Sequence, residues 1–325
     1  MKVLITTVPF GEKNRLPLDL LEKSKIEYLI NPLNKKLTES ELIQMLNDCD
    51  AIIAGTDKIT EKVMNNATKL KHISRVGIGL DSVDLLEAKK KGIRVSYTPD
   101  VPAPAIAELT IGMMLALLRS MHVSNSKMHQ EKWHRVFGRR LSNVTVGLIG
   151  VGRVGVRIIK HLQGFDSPKI LANDVSKLVK KLNLPVEWAN KEQIFKEADV
   201  ITLHLPLTGL TKNLIKEEHL MLMKKDAIII NTSRGGIINE KDLYNVMKSG
   251  HLSGAAIDVF EHEPYNGPLR EIERCLLTSH IGSMSIDCRV KMEIEATEEA
   301  IRFLKGQSLK REVPEEEYNV QKMGL

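Results

Sequence analysis

The chain has 325 residues, which at about 150 per domain suggests two domains, with one large domain as the alternative. Apolar residues make up 42 % and charged residues 27 %, enough to bury a full core and too apolar for a chain disordered throughout. The net charge of +6 is compatible with small anionic ligands, but only 4 % of residues are aromatic and no long basic block occurs, so nucleic acid is not an expected partner.

From the N-terminus, Met1–Phe10 is followed at once by Glu12 and Lys13, too soon for a secretory segment. Short β-branched runs at Lys2–Val8, Ala51–Ala54, Ile73–Val76 and Ile93–Ser96 read as strands. Amphipathic segments such as Thr38–Asp48 separate them, and Lys89-Lys90-Lys91 before Gly92 reads as a helix end. A proline cluster at Pro99, Pro102 and Pro104 marks the expected seam between domains, because proline is excluded from sheet and helix interiors. Ala105–Arg119 then reads as a helix buried in its own domain or against another subunit, and its stretch Leu109–Leu118 is about half the length a bilayer needs. A second strand set follows at Val144–Ile149, Lys169–Asn173, Val200–Leu203, Ala227–Asn231, Ala255–Val259 and Cys275–Ser279. Asp287–Lys305 reads as one long helix and Arg311–Leu325 as a frayed polar tail. The alternation predicts an α/β protein with two doubly wound parallel sheets, lying in the cytoplasm with no membrane segment. Cys49, Cys275 and Cys288 are scattered and odd in number, so they read as ordinary thiols, and no metal-ligand spacing occurs.

The run Val144–Ile149 leads directly into Gly150-Val151-Gly152-Arg153-Val154-Gly155 and then a helical pattern. In that context Gly150 permits a tight turn, Gly152 lets backbone approach a pyrophosphate, and Gly155 lets helix and strand pack closely. The helix start adds free N–H groups and a positive dipole end. The next strand ends in Asp174, nineteen residues past Gly155, where a carboxylate accepts both ribose hydroxyls and repels a 2′-phosphate. The expected cofactor is NAD, with Lys177 as the feature that favours NADP.

Four further motifs follow in order: His204-Leu205-Pro206-Leu207-Thr208, Asn231-Thr232-Ser233-Arg234-Gly235-Gly236, Asp258-Val259-Phe260-Glu261-His262-Glu263-Pro264 and Ser279-His280-Ile281-Gly282. With the earlier Arg75-Val76-Gly77-Ile78-Gly79-Leu80-Asp81, they make nearly the whole chain resemble the D-isomer-specific 2-hydroxyacid dehydrogenases. That family includes phosphoglycerate dehydrogenases, glyoxylate/hydroxypyruvate reductases and D-lactate dehydrogenases. The resemblance implies a Rossmann NAD-binding domain over 102–285 and a flavodoxin-like substrate domain from 1–101 and 286–325, with the active site in the cleft. It also implies a homodimer, through the Ala105–Arg119 helix and Trp133.

The reaction itself asks for a base for the hydroxyl proton, a cation for an anionic substrate and a nicotinamide held on one face. His280 paired with Glu263 fits the first requirement and the planar fork of Arg234 the second, as the resemblance also assigns them. Taken singly, each has a structural alternative: a strand-end histidine, a turn carboxylate and a capping cation. By the resemblance, Arg153 and Val154 cover the pyrophosphate, and His204, Leu205, Pro206 and Thr211 lie toward the adenine side. Thr232, Ser233 and Arg234 approach the nicotinamide half, while Asp258, His280, Gly282 and Ser283 hold its carboxamide end. Arg75 and the amides of Val76, Gly77 and Ile78 are assigned to the substrate carboxylate.

Two positions depart from the family pattern. Ala54-Gly55 stands where phosphoglycerate-specific relatives carry Arg-Ser, which speaks against 3-phosphoglycerate, and Tyr97-Thr98-Pro99-Asp100-Val101-Pro102 replaces the common hinge sequence. The expected activity is interconversion of a small D-2-hydroxy acid and its 2-keto acid. An NAD(H)-sensing corepressor-like protein and a dehydrogenase of another small anion, phosphite or formate, remain the alternatives.

Overall fold

A computed structural model describes residues 1–322 and divides into two compact units, Met1–Pro102 with Ser283–Leu325, and Ala103–Gly282. The first unit opens with β1 (Lys2–Ile5), α1 (Leu16–Lys23), β2 (Glu27–Ile30), α2 (Glu39–Leu46), β3 (Ala51–Ala54), α3 (Glu61–Asn66), β4 (His72–Arg75), α4 (Leu85–Lys90) and β5 (Arg94–Ser96). Its sheet is parallel throughout, in the order β2-β1-β3-β4-β5. Register places Leu4, Ile52, Ile73 and Val95 side by side, and this row packs on α2, α3 and α4. Local chemistry starts these helices: Thr38 and Glu41 form a reciprocal capping box, and Thr60 and Asp84 cap α3 and α4.

The second unit contains α5 (Pro102–Leu118), α6 (Met121–His129), β6 (Val146–Ile149), α7 (Arg153–Leu162), β7 (Ile170–Asn173), β8 (Glu187–Trp188), α8 (Lys191–Glu197), β9 (Val200–Leu203), α9 (Glu217–Leu222), β10 (Ile228–Asn231), α10 (Glu240–Ser249), β11 (Gly254–Ile257) and β12 (Cys275–Leu277). Seven parallel strands run in the order β12-β11-β10-β9-β6-β7-β8. Alternate residues face opposite cores: Ile201, Ile229 and Ala255 pack with α8, α9 and α10, whereas Val200, Ile228, Ile230 and Ala256 pack with α5 and α7. Both faces of the sheet are therefore covered, the signature of a doubly wound fold. The chain then returns to the first unit through α11 (Ile286–Leu304) and α12 (Glu315–Lys322).

Several expectations change. Pro102 and Pro104 initiate α5 rather than preceding it, because the first helical turn has no N–H partners to lose. The tail is not frayed over 311–322: α12 buries Tyr318, and Gln321 Oε1 accepts the Leu85 N–H at 2.7 Å at the start of α4. Met323, Gly324 and Leu325 of that expected tail lie outside the described residues. The three cysteines are buried free thiols, and burial pushes Cys275 up to about 12 and Cys288 to about 11. Among the described residues no single helix is long and apolar enough to cross a membrane.

Candidate active site

The strand order puts the change of winding between β6 and β9, and the loops after those strands meet there. Gly150, at φ +96°, ends β6 so close to the next loop that an added Cβ would stand 2.3 Å from His204 O. Gly155 is equally confined, since its Cβ would meet Gly150 O at 2.5 Å. Gly152 is different: nothing lies within 4 Å of its Cβ position, and as N-cap of α7 it offers no side chain to the helix start. An open, uncapped helix N-terminus beside a glycine backbone fits a pyrophosphate. Arg153 is exposed at the first position of α7 and Val154 is half-buried beside it. Asp174, just beyond β7, accepts Val151 N–H at 2.7 Å through Oδ2 and Ser176 N–H at 2.7 Å through Oδ1. This fixes its carboxylate above the glycine loop with lone pairs to spare.

After β9, the His204 ring bonds Thr202 Oγ1 at 2.8 Å, and burial pushes its pKa down to about 3, so it is a neutral structural ring. Leu205 is half-buried and Pro206 exposed. Thr211 Oγ1 reaches Pro206 O at 2.6 Å and accepts Thr208 N–H at 2.8 Å, closing the following turn.

The loop after β10 carries Thr232, Ser233 and Arg234. Asn231 staples it, with Oδ1 accepting from Ser233 N at 3.1 Å and Nδ2 donating to Arg234 O at 2.8 Å. Thr232 Oγ1 lies 2.9 Å from Thr110 Oγ1 on α5, and the Arg234 guanidinium donates to Ser233 O at 2.6 Å. Gly235 allows the loop to lean on its neighbour, because a Cβ there would stand 1.9 Å from Phe260 O.

Glu263 follows β11 and His280 follows β12. The imidazole Nδ1 lies 2.9 Å from Glu263 Oε2 and 3.1 Å from Oε1. A carboxylate can only accept, so Nδ1 carries a proton and Nε2 is left for chemistry. His280 sits at φ +54°, an uncommon conformation for a residue with a Cβ. Asp258, fully buried, holds the ring's loop: its carbonyl accepts His280 N–H at 2.8 Å, and its carboxylate accepts Ile281 N–H at 2.8 Å and Gly282 N–H at 2.9 Å. Ser283 follows directly and belongs to the other compact unit's segment.

In the first unit the loop after β4 is closed by its own hydrogen bonds. Arg75 is buried, and its Nη1 donates to Val76 O at 2.7 Å and Ala54 O at 3.3 Å, which ties one guanidinium nitrogen to the backbone of its own loop and of β3. Val76 N–H donates to Ala54 O at 2.9 Å and Gly77 N–H to Thr98 Oγ1 at 2.8 Å. Of the three amides expected to receive a carboxylate, Val76 and Gly77 are thus already engaged in closing the loop. Half-buried Ile78 stands at its open end.

With this geometry in place, comparison with known proteins is decisive. The family model for the D-isomer specific 2-hydroxyacid dehydrogenase, NAD binding domain, matches residues 111–282. The chain belongs to the D-isomer specific 2-hydroxyacid dehydrogenase family. A hydroxypyruvate reductase from Thermotoga maritima is 36 % identical over 301 residues, covering 88 % of this chain and 96 % of that protein. A glyoxylate reductase from Thermofilum pendens is 37 % identical over 281 residues, covering 83 % of each. Among solved structures, the TT0316 protein from Thermus thermophilus superposes with a TM-score of 0.87 at 32 % identity, covering 97 % of this chain and all of that one. The second unit of this family member is its NAD-binding Rossmann domain. Asn231 and the anchoring role of Asp258 were missed in the residue-level reading, although both lie inside the motifs that carried the resemblance.

Proposed function

We propose that the protein catalyses NAD-dependent interconversion of a small D-2-hydroxy acid and its 2-keto acid, with His280 as acid-base residue, Glu263 as its orienter and Arg234 as the substrate fork. The observation that carries this reading is the His280–Glu263 pair at 2.9 Å, placed at the carboxyl ends of β12 and β11 in the same row of strand ends as the glycine loop. When bound, the dinucleotide supplies or accepts a hydride at the substrate carbon. In the reductive direction His280 Nε2 delivers a proton to the carbonyl oxygen, and in the oxidative direction it withdraws the hydroxyl proton. Glu263 stabilises the imidazolium through Nδ1. The guanidinium of Arg234 orients carboxylate and carbonyl oxygens together, a geometry that suits two parallel hydrogen bonds.

Asp174 supports a preference for NAD over NADP, because Oδ2 is pinned to the glycine loop through Val151 N–H and Oδ1 to its own turn through Ser176 N–H, which holds the carboxylate where a 2′-phosphate would bring more negative charge. Exposed Trp133 and Phe137, at 76 % and 105 % of full exposure, support a homodimer built on the segment after α6. Three buried free thiols support residence in a reducing cytoplasm. Recording NADH oxidation across 2-keto acids of varied size and charge, then repeating with NADPH, tests the reading. Turnover of a small keto acid with NADH favoured is expected; no turnover with any of them overturns it.

A further inference from the structure

The turn that carries Glu263 is fastened from outside the proposed catalytic set. Phe260 N–H donates to Glu263 Oε1 at 3.1 Å, which ties the carboxylate that faces His280 back to its own turn. The next amide, Glu261 N–H, donates to Glu240 Oε1 at 2.5 Å, and Glu261 Oε1 in return accepts Glu240 N–H at 3.1 Å. Glu240 is the first residue of α10, so this reciprocal pair clasps the turn to the start of a helix whose cap, Asn239, is itself bonded to Asp242 N–H at 3.0 Å.

The clasped peptide serves two functional loops at once. A Cβ on Gly235 would lie 1.9 Å from Phe260 O and 2.6 Å from Glu261 N, so the loop presenting Arg234 rests directly on the Phe260–Glu261 peptide. The same peptide leads into Glu263. Its position therefore sets the spacing between Arg234 and the Glu263–His280 pair, and Glu240 Oε1 is the side-chain atom that holds its N–H.

We infer that Glu240 is a positioning residue for this reaction, acting through the Phe260–Glu263 turn. The inference rests on the proposed roles of Arg234, Glu263 and His280 and adds a residue that does not touch substrate or cofactor. A carboxylate at a helix start also favours the helix dipole, and that alone would be a purely structural role. Burial pushes the Glu240 carboxyl above the usual carboxylate range, opposed by the bond from Glu261 N–H; Glu261 and Glu263 raise it further and His262 lowers it. These are the charges expected around a group seated beside the turn.

Three substitutions separate reach from charge. Glu240→Gln keeps an acceptor at the same distance without charge, Glu240→Asp keeps the charge but is too short, and Glu240→Ala removes both. In the holoenzyme, Glu240→Ala and Glu240→Asp are expected to lower kcat about tenfold, within the range for slight misplacement of catalytic groups, with Kd for NADH shifted less than about twofold. Glu240→Gln is expected to recover most of that loss. An NMR spectrum of the protein labelled with 15N-histidine gives a readout without turnover: the His280 Nδ1–H resonance persists in Glu240→Gln and broadens in Glu240→Asp. Equal kcat in all three variants, or Glu240→Asp outperforming Glu240→Gln, overturns the inference in favour of a helix-dipole role. If the wild-type protein turns over no keto acid, the functional reading fails, and the resonance still decides whether Glu240 holds the turn.

Discussion

Asp258 and His280 are locked together by backbone: the Asp258 carbonyl accepts the His280 N–H at 2.8 Å while its carboxylate takes the two following amides. Thr278 Oγ1 adds a fourth contact at 2.5 Å, so a residue at φ +54° is held by a buried acid just past the end of the neighbouring strand β11. An imidazole whose backbone is fixed this way is aimed before any ligand arrives, which is what acid-base chemistry needs.

Asp258→Asn keeps one acceptor but turns an amide NH2 toward a backbone N–H. The variant is expected to lose about 1–3 kcal/mol of stability, the cost of an unsatisfied buried donor, together with most of its turnover. Urea unfolding followed by fluorescence, run beside a keto-acid assay, checks both; loss of neither would show that the loop is held without this carboxylate.

The glycines separate folding from cofactor binding. Gly150→Ala must clear the 2.3 Å contact with His204 O at a positive φ, so its melting temperature should drop sharply. Gly152→Ala has open space around its Cβ and should melt as the wild type does, yet bind NADH at least about tenfold more weakly, because the methyl occupies the approach of the pyrophosphate. Calorimetric titration of both proteins distinguishes these outcomes.

Arg234→Lys replaces a planar fork by a point charge. A fall of about 10- to 100-fold in kcat/KM is expected, as one charged hydrogen bond of about 1.5–3 kcal/mol is lost, while Kd for NADH stays nearly constant. Steady-state kinetics beside fluorescence titration measures the two quantities independently.

Buried His72 and half-buried His204 predict acid sensitivity in both units. His72, stacked on Phe303 at 4.7 Å and bonded to Ser96, is pushed down to about 3 by burial and then by Arg94, and His204 is pushed to about 3 by burial. Their folded pKa values lie below the unfolded value, so the unfolded chain takes up protons first as pH falls. Stability present above about pH 6.5 is therefore lost toward pH 3, by up to about 1.4 kcal/mol per pH unit for each ring. Thermal unfolding between pH 7 and 4 should show this slope, and His72→Gln should flatten it for the first unit.

The parallel strands and the glycine loop were legible because buried β-branched runs and the Gly150–Asp174 spacing report directly on backbone needs. The strands β2 and β8 escaped notice: the apolar run of β2 is only Tyr28–Ile30, on a strand left partly exposed, and Glu187–Trp188 is a two-residue edge. The helix α12 was invisible for a related reason, since it docks through Tyr318 and the Gln321 amide rather than an apolar stripe. At the site, the types of the functional residues could be argued from the reaction. The hydrogen bonds that close the Arg75–Gly77 loop depend on Ala54 and Thr98, distant in sequence, and no local pattern announces them.

In the proposed mechanism, proton transfer rests on the imidazole of His280. Turnover of a 2-keto acid by His280→Ala, measured with the Kd for NADH, tests this most directly. A fall in kcat of about 10² to 10⁴ with NADH binding essentially intact is the predicted result. A variant that reduces the same keto acid as fast as the wild type would contradict it.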